Sequence, residues 1–156
     1  MSSKNHSLLN LTMIIISWIT IPLLGFRSIK RFLPASIFAV LLCSLDALIG
    51  KRRRWWAFYN KPQSFIRNEF PFLIGPMLAI ALWILKWSYG NFKKFIILNA
   101  IGDIIFVFPL TRLFTKIKLY RLVKFNEIHF FLYFFYKAFF LYGFQYLYDK
   151  YKRFSN

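Results

Sequence analysis

Long apolar runs separated by short basic stretches set the pattern of this chain. Five runs stand out, at about 8–26, 32–50, 70–89, 95–114 and 128–148. Stretches such as Met13-Ile14-Ile15-Ile16 and Phe38-Ala39-Val40-Leu41-Leu42 do not alternate apolar with polar. A membrane β-strand needs such alternation over roughly 10 residues, so the runs predict helices. At about 1.5 Å per residue each reaches roughly 28–32 Å, enough for a hydrocarbon core. The expected fold is all-α: a polytopic transmembrane bundle of five spanning helices, forming one integral membrane domain. Pro34 and Pro71 fall in first turns, where proline is tolerated. Gly75-Pro76 and Pro109 fall inside runs and are expected to bend them. The first run lacks a small-residue cleavage site and exceeds the roughly 7–15 residues of a signal core, so it reads as a retained helix.

Composition matters here mainly for where the charge lies. The net charge is +17, carried by 22 Lys and Arg against 5 Asp and Glu. On a soluble domain this would point to nucleic acid. Most of these cations instead lie between apolar runs, and no basic soluble segment exists to carry such binding. Anionic lipid headgroups are therefore the expected partners, and nucleic acid is not. The longest connector opens with Lys51 and then Arg52, Arg53, Arg54, Trp55 and Trp56. Cations that meet lipid phosphate, followed by rings at headgroup depth, read as an interfacial anchor. With five crossings, the N-terminus and the second and fourth connectors carry 12 Lys and Arg, against 9 on the other face. The positive-inside rule then places the N-terminus in the cytoplasm.

Polar residues inside the runs are the candidate functional residues, because lipid exposes none of them without cost. Asp103 and Lys137 fall at nearly equal depth on consecutive antiparallel helices, roughly 16 and 14 Å from one face. They are expected to pair. Asp46 and Arg112 lie closer to that face. Lys86, Asn99 and Gln145 lie toward the opposite one. Asn99 and Asp103 stack at i and i+4, as do Tyr133, Lys137, Leu141 and Gln145, so the last two helices each offer a polar stripe. Such residues serve either as interhelical glue or as an ion or substrate path. Ala35, Ala39, Cys43 and Ala47 form a small-residue stripe on the second helix that permits close packing.

Catalytic and metal signatures are missing. There is no GxSxG, P-loop or HExxH pattern. Cys43 has no second cysteine to pair with, and His6 and His129 lack metal spacing. No cofactor is expected. The sequence supports a non-enzymatic membrane protein, structural or accessory to a membrane partner or acting as a homo-oligomer. The alternative is a small transporter, or a subunit of one, using the Asp/Lys stripe.

Several segments carry a resemblance: Arg52-Arg53-Arg54-Trp55-Trp56; Glu69-Phe70-Pro71-Phe72 with Gly75-Pro76; Leu85-Lys86-Trp87-Ser88-Tyr89-Gly90-Asn91-Phe92; and Leu141-Tyr142-Gly143-Phe144-Gln145. Across residues 30–150 the chain resembles uncharacterised small multi-pass membrane proteins of Bacillus-type bacteria. The resemblance implies a bacterial plasma membrane and brings no activity and no catalytic residues.

Overall fold

A computed structural model describes residues 2–60 and 63–155. Five helical rods account for most of the described chain. The first is α1 (Ser3–Thr20), which tightens into a 3-10 turn through Leu24. The second is α2 (Phe26–Arg52). The third joins α3 (Phe65–Phe72) to α4 (Leu78–Ser88) through a π-turn at Leu73–Met77. The fourth joins α5 (Phe92–Ile105) to α6 (Thr111–Lys116) through a π-turn at Phe106–Leu110. The fifth is α7 (Glu127–Phe154). Two three-residue strands, β1 (Trp56–Phe58) and β2 (Tyr120–Leu122), pair antiparallel with Phe58 opposite Tyr120.

The protein is all-α with a membrane character, and four of its rods are long and apolar enough to cross a bilayer. The fifth expected span differs. α7 has the length, at 28 residues, but Tyr133, Tyr136, Lys137 and Gln145 dilute its apolar run. The helices also begin before the apolar runs do. Ser2, Ser64, Asn91 and Asn126 each accept a hydrogen bond from the backbone N–H three residues on. Such capping stabilises the first turn, so helix extends into polar sequence that hydropathy alone treats as connector.

Proline explains the two π-turns. Pro76 and Pro109 sit within them. Proline donates no N–H and crowds the carbonyl four residues back, and a wider turn relieves both problems. In the fourth rod Thr111 finishes the repair: its N–H and its Oγ1, at 3.1 Å, both donate to the Phe106 carbonyl. At the other π-turn Gly75 admits the first rod, since a Cβ there would lie 3.1 Å from Ile14 Cα.

The two strands were not legible, each being three residues long. They grow from matching helix ends. Arg54 and Lys118 both adopt left-handed backbone, at φ 54° and 57°. After α2, Trp55 N–H reaches Gly50 O at 2.9 Å and Arg54 N–H reaches Lys51 O at 3.2 Å. After α6, Leu119 N–H reaches Phe114 O at 2.8 Å and Lys118 N–H reaches Thr115 O at 3.1 Å. Both are Schellman terminations. They turn the chain back over the bundle end, and the ribbon ties the second and fourth connectors together on one side, called here the ribbon side.

The second and third rods are central, with 33% and 39% of their apolar windows buried, against 6% for the first and 11% for the fourth. The core has two parts. Away from the ribbon, Ala35, Ala39, Leu82, Leu85, Phe95 and Leu141 pack together. Under the ribbon the packing is aromatic, with Tyr120, Phe130 and Tyr133 buried and Trp55 and Trp56 against them.

Candidate functional site

The centre of the bundle holds an ion pair between α2 and α7. Lys137 is 3% exposed, and its Nζ lies 3.3 Å from Asp46 Oδ2. The ammonium also sits 3.3 Å from the Tyr133 ring centroid, a cation–π contact. Tyr136 donates its hydroxyl to the same Asp46 oxygen. Asp46 thus meets two groups from α7, a cation that it pairs with and a hydroxyl that donates to it.

This corrects the expected Asp103–Lys137 pairing. Asp46 is 6 residues from the end of α2, and Lys137 is 10 residues from the start of α7. Those ends share the ribbon side. The difference of 4 residues is roughly 6 Å, which a lysine side chain spans by extending along the bundle. Depth matching by Cα position therefore misassigned the partner. Asp103, partly buried on α5, acts on Lys137 electrostatically but makes no hydrogen bond or ion pair among the described residues.

The other candidates are dispersed rather than joined in one network. Arg112 forms a bidentate pair with Glu127 at the start of α7, at 2.7 and 2.8 Å, not with Asp46. The contact holds the Glu127 carboxyl below its usual range, although both groups are solvent-facing and such pairs add little stability. Lys86 Nζ donates to Leu24 O at 2.9 Å, filling a carbonyl at the end of the 3-10 turn. Asn99 turns back on its own helix, donating to Phe95 O at 2.8 Å. Gln145 is fully buried and donates to Asp149 Oδ1 at 3.0 Å, while Asp149 Oδ2 meets Arg31 at 2.7 Å.

Of the anchor residues, Arg52, Arg53 and Arg54 are exposed. Trp55 and Trp56 turn inward instead. The Trp55 ring stacks on Phe125 with centroids 4.5 Å apart, and Trp56 packs edge-on against Tyr133 at 5.6 Å. Gly50 makes room for them: a Cβ there would sit 2.5 Å from the Trp56 ring.

Sequence reasoning missed the feature on which all five rods and both strands converge. A cavity of about 80 Å³ lies under the ribbon. Nine aromatic residues line it, among them Trp56 and Phe58 from β1, Phe72 from the third rod, Tyr120 from β2 and Phe130 from α7. Glu69 and Asn68 of α3, with Asn10 of α1, supply the polar wall. Glu69 is 7% exposed. Its Oε1 accepts a long bond from Trp56 Nε1 at 3.4 Å, and its Oε2 is buried with no hydrogen-bond partner among the described residues. Asn10 donates to Arg67 O at 2.6 Å, and the buried His6 ring lies parallel to Phe58. The expected third span began at Phe70, one residue after Glu69. The signal that would have found it was Ser64, whose cap starts the helix early and carries Glu69 into the bundle.

No protein-family model matches the chain, and neither does any curated protein or solved structure. Among the described residues there is also no cluster of three or more His, Cys, Asp or Glu suited to hold a metal.

Proposed function

We propose that the chain is a non-enzymatic, five-span protein of a bacterial plasma membrane, accessory to a second membrane protein that docks on its fourth rod. One observation carries this reading. Asp103 stands near the middle of that rod, partly buried, with no hydrogen bond or ion pair among the described residues. Its nearest interior cation, Lys137, is engaged by Asp46. A charged group at a helix centre costs about 2.5–3.5 kcal/mol against lipid, and a donor from a neighbouring helix removes that cost. Gly102 beside it leaves the approach open, since a Cβ there would meet nothing within 4 Å. Self-association about this point brings like charges together and supplies no spare interior cation, so the partner is a different protein with a donor or cation at mid-depth. Arg52, Arg53 and Arg54 on the ribbon side are the contact to anionic headgroups and hold that side, with the N-terminus, in the cytoplasm.

The test is purification of the tagged chain in mild detergent with mass spectrometry of what accompanies it. A stoichiometric membrane protein is expected with the natural chain and is lost from Asp103→Asn at unchanged helicity and melting temperature. Equal recovery with the variant, or a chain that purifies alone, overturns the reading.

A second reading, a small transporter, is favoured by the two π-turns that border the interior cavity, since such turns gather at functional sites. Replacing Asp46 and Lys137 together separates the two. A chain that serves the accessory role keeps its function in vivo, whereas a transporter that relays charge through this pair folds but is inactive.

A further inference from the structure

We infer that the cavity under the ribbon binds a small methylated ammonium ion, held between the Glu69 carboxylate and the surrounding aromatic faces. This goes beyond the accessory role and does not rest on it.

The chemistry of the walls is selective. Quaternary ammonium groups are recognised by cages of aromatic rings, whose negative π-faces attract a cation that has no N–H to donate. Here the rings come from β1, β2, the third and fourth rods and α7. A carboxylate adds counter-charge: Glu69 lines the cavity, and its Oε2 is buried with no hydrogen-bond partner among the described residues. An anion meets that carboxylate and is repelled. A neutral hydrocarbon leaves the buried oxygen without a partner, which carries a penalty.

Size agrees. The cavity holds about 80 Å³, whereas one water needs about 10–15 Å³ on this measure. That is room for a group of about the size of a trimethylammonium head. Cation–π recognition at this chain has a precedent within it: Lys137 already sits on the Tyr133 ring, from the α2 side. Two cations oppose binding: Lys137, on the Tyr133 ring of the cavity wall, and Lys51, which acts on Glu69. Each weakens the hold on a bound cation, and removal of Lys51 tightens binding.

The headgroup of a choline lipid and free choline share this chemistry. The full chain is therefore reconstituted in phosphatidylglycerol nanodiscs, which carry no choline, and titrated calorimetrically with choline and with its neutral isostere 3,3-dimethylbutan-1-ol. Saturable choline binding, at least tenfold tighter than the isostere, is expected. Glu69→Gln is expected to weaken choline at least tenfold at unchanged helicity, and Lys51→Gln to tighten it. The Lys51 variant keeps the test decisive if Glu69→Gln fails to fold. Repeating the titration in phosphatidylcholine nanodiscs identifies the source: loss of choline affinity there assigns the site to the lipid headgroup, and unchanged affinity assigns it to the free cation. No saturable binding in phosphatidylglycerol, equal binding of the isostere, or indifference to both substitutions overturns the inference.

Discussion

Lys137 and Asp46 meet at 3.3 Å although they lie on α7 and α2, the last and second rods of the chain. Because Lys137 is also capped by the Tyr133 ring, the ammonium is enclosed on two sides. Breaking a buried pair strands a charge, at a cost of about 3–5 kcal/mol. Lys137→Met leaves Asp46 with only the Tyr136 hydroxyl, and Asp46→Asn leaves the ammonium with rings alone. Each is expected to lower the melting temperature of the protein in detergent. The double variant recovers much of the loss. Strictly additive losses would show that the two side chains do not act as a pair.

Gly50 is expected to tolerate no side chain. A Cβ would approach the Trp56 ring to 2.5 Å and the Trp55 ring to 2.8 Å. Both rings are fixed by Phe125 and Tyr133, so they have little room to retreat. Overpacking of this kind costs about 1–3 kcal/mol. Gly50→Ala should therefore destabilise the fold and shift tryptophan fluorescence to the red. A neutral result would mean that the rings move freely.

At Arg54 and Lys118 the expected change is in the opposite direction. Both hold left-handed backbone without being glycine. Arg54→Gly and Lys118→Gly each remove about 1 kcal/mol of strain, partly offset by the greater freedom of glycine in the unfolded chain. A small rise in thermal stability for either variant, measured in the same detergent, is the expected outcome. A clear loss would show that the side chains themselves hold the caps.

Tyr120 gives a prediction on pH. Its hydroxyl is 2.9 Å from Thr111 Oγ1, and burial pushes its phenol from 10 up to about 12. In the unfolded chain the group ionises near its ordinary value. The stabilisation is thus complete below about pH 10 and is lost as pH rises toward about 12. Tyr120→Phe should flatten the fall in stability across that window, on the order of 2 kcal/mol. An unchanged alkaline profile would count against it.

How much of this was legible follows from what each inference used. Hydropathy located the rods, because lipid demands long apolar runs whatever their order. The buried stripe of Tyr133, Lys137, Leu141 and Gln145 followed from helical periodicity. The partner of Lys137 did not, since Asp46 and Asp103 both lay within reach and only packing selects α2 over α5. Glu69 was hidden because a carboxylate at the edge of an apolar run looks like connector. The ribbon was hidden for another reason: it depends on two distant segments meeting, and three residues of either carry too little pattern to announce it.

The register that sets Phe58 against Tyr120 also fixes an order of events during synthesis. β1 emerges from the ribosome long before β2, and the whole of the third and fourth rods must follow it first. Until then Trp55 and Trp56 have neither Phe125 nor Tyr133 to lie against. A nascent chain arrested anywhere before residue 120 therefore carries a half-built, sticky end on its ribbon side. Emergence of Phe125 and the first turns of α7 is the step that seals it, which makes the stretch joining β2 to α7 the natural checkpoint for quality control of this protein.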